Sequence, residues 1–344
     1  MLTKKQVKEI KEHLEKAQNP IFFFDNDPDG LCSFLLLQRY IRRGKGVAIK
    51  SFPEMTAEYF KRVEEFNSDY IFILDKPIVS KEFLEEARNF NIPVIWIDHH
   101  DVKIEIPNFV HYYNTYLNRL KKNEPVTYLC YKITDKKEDL WLAVAGCVFD
   151  RYIPNFYSRF LKNYPDLGFK TKDAFDVLYK SQIGKIVKMF CFGLKDRTSN
   201  VVKMIRFLTE VKTPYEVLEE NNKNHEMHFR FKQIQNKYEK LIEKAKTFAN
   251  ESRILFFKYS GDLSISADLS NELSYLFPNK IIVVSYIQGI KANISVRGKK
   301  IRDTIIKAIH GIEGATAGGH EDALGSQMKV EYLEKFRDNI EKLV

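Results

Sequence analysis

Six aspartates and a histidine pair stand out in this sequence for where they fall. Asp25-Asn26-Asp27-Pro28-Asp29-Gly30 sets three carboxylates at alternate positions directly after the apolar run Ile21-Phe22-Phe23-Phe24. Carboxylates this close repel one another unless cations sit among them, so the arrangement suits hard divalent metals. An Asx-turn leading into a helix cap accounts for one of the three and leaves two unexplained. Asp98-His99-His100 adds two imidazoles after another apolar run. Neighbouring histidines on an irregular segment cannot point the same way, so one suits a metal and the other a substrate. Imidazole mixed with carboxylate favours Mn²⁺ over Mg²⁺ or Ca²⁺, which prefer oxygen shells. Asp75 follows Tyr70-Ile71-Phe72-Ile73-Leu74, and Asp150 follows the apolar stretch from Leu142 to Phe149. Taken singly, a histidine pair is more often a solvated pair, and Asp150 an ordinary helix-end residue. Together they form a candidate metal centre.

The elements that must position these residues are legible from the apolar runs. Ile21 to Phe24, Val47 to Ile49, Tyr70 to Leu74 and Val94 to Ile97 are short, continuously apolar and separated by charged segments of helical spacing. That pattern predicts buried parallel strands with helices on both faces. Open parallel sheets bind ligands at the carboxyl ends of their strands, and three of the four predicted strands end in Asp25, Asp75 and Asp98. Gly30 is expected to allow a tight turn into a helix beginning at Leu31. From Trp141 to Phe248 the pattern is mostly helical. A second strand-rich unit follows, with strands at Ile254 to Phe257, Ile281 to Val284 and Ala292 to Val296. It continues with a helix near Ile301 to Ile309, a glycine-rich loop from Gly311 to Gly325 and a final helix. The predicted fold class is thus α/β: an N-terminal parallel-sheet domain with a helical extension (1–220), a connecting helix (221–250) and a smaller C-terminal α/β domain (251–344).

Composition narrows the partners. The 344 residues carry 55 Lys+Arg against 46 Asp+Glu, a formal net charge of +9, with most of the excess before residue 251. Such a surplus leans towards a polyanion, although a lysine-rich surface also serves solubility. Cys32, Cys130, Cys147 and Cys191 are too scattered for a zinc knuckle or a disulfide framework, and they fit a reducing cytoplasm. No apolar run is long enough to span a membrane, and the N-terminus reads as an amphipathic helix without a signal-peptide segment.

In this order, an Asp-x-Asp-x-Asp-Gly loop, a lone strand-end Asp, Asp-His-His and a later Asp after a small-residue helix resemble the four motifs of the DHH phosphoesterases. The C-terminal unit is similar to the DHH-associated domain, through Ser295-Val296-Arg297 and Gly318-Gly319-His320-Glu321-Asp322-Ala323-Leu324-Gly325. The resemblance covers essentially the whole chain, and an aspartate at Asp25 resembles the RecJ single-strand exonuclease branch. One departure is Lys76-Pro77 after Asp75, where the family often has a glycine shortly afterwards.

The resemblance implies two Mn²⁺ ions, with Mg²⁺ as a substitute. Asp25, Asp27 and Asp75 would hold one; Asp29, Asp75, His99 and Asp150 the other. Asp98 would orient one histidine, and His100 would face the phosphate or leaving oxygen. Arg297, Gly318, Gly319 and His320 would grip substrate phosphates, beside the basic edge formed by Lys299, Lys300 and Arg302.

Three functions follow for comparison. The first is stepwise release of nucleotides from single-stranded DNA or RNA, with duplex excluded; Tyr40, Phe52, Tyr112 and Tyr113 are among the aromatics available for base stacking, none singled out. The second keeps the chemistry but takes short oligonucleotides, cyclic dinucleotides or a nucleoside bisphosphate. The third is a scaffold role in a replication complex, with a helicase or replication protein as partner and the long helix Asn221 to Lys246 as a candidate surface.

Overall fold

The alternation of side chains along four hydrophobic strands builds the first part of the molecule. A computed structural model describes residues 1–50, 55–102, 104–118, 121–249, 251–319 and 321–344. It divides into two units, Met1–Phe231 and Lys232–Val344. In the first, β1 (Pro20–Asp25), β2 (Lys45–Ile49), β3 (Tyr70–Leu74), β4 (Val94–Asp98) and β5 (Val110–Asn114) form a sheet of order β2-β1-β3-β4-β5. Every pairing is parallel. The helices that flank it are α1 (Lys4–Lys16), α2 (Pro28–Ile41), α3 (Phe60–Glu65), α4 (Lys81–Asn89), α5 (Val126–Thr134) and α6 (Leu140–Phe149).

Successive strand residues point to opposite faces, and here both faces are apolar. Phe22, Phe24, Phe72, Leu74, Ile95 and Ile97 join a core with residues of α2, α5 and α6. Ile21, Phe23, Ile71, Ile73, Val94 and Trp96 pack instead with Phe60 and Val63 of α3 and Phe83 and Leu84 of α4. This two-sided burial is why the runs read as continuously hydrophobic. The sequence reading left β5 out. It is an edge strand, His111 on it is exposed and Tyr112 only half-buried, so its apolar signal is diluted.

The strand order reverses between β1 and β3, which opens a crevice at their carboxyl ends. The register aligns Phe24 with Leu74 and Leu74 with Ile97, so the next residue of each strand, Asp25, Asp75 or Asp98, falls on one row at that edge. Helix α2 begins at Pro28, with Asp27 as its N-cap, three residues before the expected start. Pro at the first helical position and a capping aspartate are strong start signals. Gly30 therefore lies inside the first turn. Its role is close approach: a Cβ there would collide with the Asp25 carbonyl oxygen and lie 2.8 Å from the Asp25 amide nitrogen. Gly30→Ala is expected to destabilise the fold by about 2–3 kcal/mol in urea denaturation, and to displace the Asp25–Asp27 segment enough to weaken metal binding.

Further helices follow from Tyr157 to Leu218, and the helix His225–Lys246 contains the division between the units, inside the expected connector 221–250. The second unit is a mixed sheet of order β6-β7-β8-β10-β9, from β6 (Ile254–Ser260), β7 (Ile281–Gln288), β8 (Lys291–Arg297), β9 (Thr316–Gly319) and β10 (Ala323–Lys329). Its core joins Val283, Ile294, Val296, Ile305 and Phe336. Helix Ser266–Leu276 was not anticipated. The expected glycine-rich loop from Gly311 to Gly325 contains part of an antiparallel strand pair, with Gly318 opposite Gly325 and Gly319 opposite Leu324. Glycine repeats hide strand character because they carry no side-chain pattern. Among the described residues no helix is long and apolar enough to cross a membrane.

Candidate metal centre

Strands β1, β3 and β4 and helices α2 and α6 deliver carboxylates to the crevice, and at α2, β3 and α6 the local reason is plain. The Asp27 side chain caps α2 through the Gly30 amide at 2.9 Å. The capping reading is therefore correct for this one aspartate. Asp29, the second residue of α2, accepts from the first amides of α5, Val126 at 3.0 Å and Thr127 at 2.8 Å. Those amides have no partner within their own helix and favour an anion. Asp75 follows β3 with φ of +58°, a left-handed conformation that aspartate tolerates better than most residues. Asp150 caps the carboxyl end of α6.

His99 is the hub. Its Nε2 lies 3.3 Å from Asp75 Oδ1, while its Nδ1 lies 2.8 Å from Asn123 Oδ1 and 3.7 Å from Asp150 Oδ2. Two sets of ligand atoms lie within 4.8 Å of one another: Asp75, His99 and His100, and Asp29, His99 and Asp150. Asp25 and Asp27 belong to neither set; Asp25 Oδ1 is instead 3.2 Å from Lys76 Nζ. His100 Nδ1, the nitrogen nearest Asp75 at 3.9 Å, is bonded to Asp98 Oδ1 at 2.8 Å. Asp98 also accepts from the His100 amide, Tyr112 Oη and Asn114 Nδ2. It is fully buried and acts by holding His100 in place.

A divalent cation fits this donor set. Asp75 Oδ1 is enclosed, with His99 Nε2 at 3.3 Å its one close polar neighbour among the described contacts, a sparse setting for a buried carboxylate oxygen. A ring nitrogen and a carboxylate oxygen about 3 Å apart suit two ligands of one ion, each near 2.1 Å from it. Electrostatics agree. Burial, then the neighbouring aspartates, pushes both Asp27 and Asp75 well above the ordinary carboxylate range. The same causes bring Asp150 up to about 6, with His99 opposing. Burial alone would keep His99 neutral, but Asp150 and Asp75 outweigh it and push its pKa well up. Burial also opposes ionisation of Asp98, yet its bond to His100 and the charge of that ring prevail and hold it below its usual value. Without a cation the cluster retains protons; a divalent ion inverts that preference.

The sequence reading missed Lys76, Tyr112, Asn114 and Asn123 as parts of the site. Asn114 ends β5, so the rule applied to the strand-end aspartates would have found it had that strand been recognised. Tyr112 and Tyr113 are partly or fully buried, and Tyr112 bonds to Asp98; neither is an open stacking platform. Phe52 lies outside the described residues.

In the second unit, Arg297 ends β8 opposite Ala323 of β10. Gly318 and Gly319 end β9, so the three come to one end of the sheet. Arg297 donates Nε to Asn271 Oδ1 at 2.6 Å and Nη1 to the Val296 carbonyl at 2.8 Å, which fixes its guanidinium in position. Gly319 has φ of +138°, and a Cβ there would lie 2.5 Å from the Ala323 carbonyl oxygen. His320 lies outside the described residues.

Residues 21–149 match the model of the DHH family, N-terminal domain. The segment holding all but the last of the clustered aspartates is therefore a DHH-family domain, of the phosphoesterase class. The whole chain has the RecJ fold. RecJ from Thermus thermophilus in complex with Mn²⁺ is similar over 98% of this chain and 54% of its own, with a TM-score of 0.69 and 16% identity. The chain thus spans about half the length of that RecJ. CDC45 from Entamoeba histolytica is similar at a TM-score of 0.55 and 10% identity, over 98% of each chain. A pGpG-specific phosphodiesterase from Vibrio cholerae follows at 0.51 and 12%, over 95% of this chain and 98% of its own. Identities this low speak to fold alone. A search of curated proteins by sequence returns no match.

Proposed function

We propose that the protein hydrolyses phosphodiester bonds with two bound Mn²⁺ ions, Mg²⁺ serving less well, and releases nucleotides stepwise from single-stranded DNA or RNA. The observation that carries the metal reading is the enclosed Asp75 Oδ1 facing His99, with Asp29 and Asp150 gathered round the same ring, at the carboxyl edge of the sheet. Asp25, Asp27, Asp29, Asp75, His99 and Asp150 would hold the ions, with Asp75 shared. When bound, such ions supply a nucleophilic hydroxide near neutral pH and neutralise charge on the phosphate. The remaining work falls to the chain. Asp98 fixes the ring of His100, whose side chain is 20% exposed and can meet a phosphate or leaving oxygen. Arg297, Gly318, Gly319 and His320 would bind substrate phosphates, the glycines by letting a phosphate come close to a backbone without side chains. The likeness to RecJ and the basic surplus support a polymeric substrate; the cytoplasm is the compartment that the free cysteines suit.

A thirty-nucleotide single strand, labelled at either end, incubated with Mn²⁺ should yield mononucleotides progressively, and EDTA should stop the reaction. Blunt duplex should be cut far more slowly, because each step would first need unpairing. Rates should fall about tenfold or more between about 50 and about 200 mM salt if phosphate contacts dominate binding. Equal rates on duplex and single strand would defeat the single-strand reading. The likeness to a pGpG-specific phosphodiesterase favours a second reading, a short-oligonucleotide or cyclic-dinucleotide substrate. Activity confined to di- and trinucleotides would select it. The likeness to CDC45 supports docking on a helicase or replication protein as an additional role.

A further inference from the structure

Asp25 is paired with a cation that the chain itself supplies. Lys76 is 1% exposed, its Nζ 3.2 Å from Asp25 Oδ1 and 2.6 Å from the Lys50 carbonyl oxygen. Its backbone is pinned as well, since Trp96 Nε1 donates to the Lys76 carbonyl at 2.8 Å. Lysine is almost never fully buried without a partner, and a buried ammonium carries a large desolvation cost. A long apolar side chain would fill this volume without that cost, so the charge itself calls for a role. The position matters too: the ammonium occupies the Asp25 end of the carboxylate cluster, whereas both sets of close ligand atoms centre on His99.

We propose that Lys76 makes the two metal positions unequal, holding Asp25 in an internal ion pair so that the first ion enters at His99 and the second binds weakly beside Asp25 and Asp27. The inference rests on the metal reading of the cluster. An ammonium bonded to a carboxylate competes with a divalent ion for the same oxygens and repels it at short range. Removing the positive charge ends that competition and that repulsion, so a metal meets the Asp25 carboxylate on better terms. Lys76 is thus a positioning residue that sets metal occupancy.

The test is calorimetric titration of the full chain with Mn²⁺, read in parallel by electron paramagnetic resonance, which distinguishes an isolated ion from a coupled pair. The native protein should bind one ion at least about tenfold more tightly than the second. In Lys76→Met and Lys76→Gln the second ion should tighten by about tenfold or more, with the first unchanged. The coupled signal should then appear at lower metal concentration. Two equal sites in the native protein would overturn the proposal, even if neither variant folds. So would unaltered or weakened second-ion binding in a folded variant. Failure to bind Mn²⁺ at all would sink the metal reading itself, a result distinct from intact but equal binding.

Discussion

Asp75→Asn is expected to lower Mn²⁺-dependent phosphodiester hydrolysis by at least about a thousandfold, the scale seen when a central charge-stabilising group is lost. Asparagine is the informative substitution. It tolerates the left-handed backbone at this position, where φ is +58°, whereas alanine would add roughly 1–2 kcal/mol of strain. The same variant should melt no lower than the native protein when both are stripped of metal. Burial and the neighbouring Asp29 and Asp27 already favour the uncharged form of Asp75, and an amide is permanently uncharged. The paired outcome, lost activity without lost metal-free stability, separates a metal ligand from a residue that merely supports the fold. Hydrolysis assays and thermal melts in EDTA and in Mn²⁺ measure the two halves. A variant that keeps near-native hydrolysis would remove Asp75 from the centre.

Metal-free protein should lose stability as pH rises from about 5 to about 7.5, with a fall in melting temperature on the order of 5 °C. Asp150 is raised from 3.8 to about 6, and Asp27 and Asp75 are raised well above 3.8. An acid with a raised pKa binds protons more tightly folded than unfolded. Its contribution is therefore present at low pH and is lost as pH climbs from the unfolded value through the folded one. His99, raised above 6.5, has the same sign: its contribution is intact below 6.5 and fades as pH passes its folded pKa. Asp98, lowered below 3.8, runs the other way, but its window lies below this range. Mn²⁺ should cancel the slope, because it replaces protons as the cluster's counter-charge. Its stabilising effect in a melt should therefore be larger near pH 7.5 than near pH 5. A metal-free melting temperature that rises across the range would show that repulsion among these carboxylates does not govern the site.

The elements carrying this chemistry were legible to very different degrees. Ile21 to Phe24 and Tyr70 to Leu74 declared themselves because both faces of their sheet are buried, and chain order alone put Asp25 and Asp75 at strand ends. Aspartate–histidine clustering at strand ends pointed to candidate metal ligands before any geometry was known. The sequence left the edge strand Val110–Asn114 unread, and with it Asn114, because one-sided exposure breaks the apolar run. Sequence spacing also could not sort the ligands into sets: that His99 sits between Asp75 on one side and Asp29 and Asp150 on the other depends on how α2, α5 and α6 pack. Nor could it show that Lys76, adjacent to Asp75 in the chain, would reach Asp25 on the neighbouring strand. Local chemistry and burial pattern are written residue by residue. Which charges become partners is decided by strand register and helix packing, since only these bring together side chains that lie fifty or a hundred positions apart.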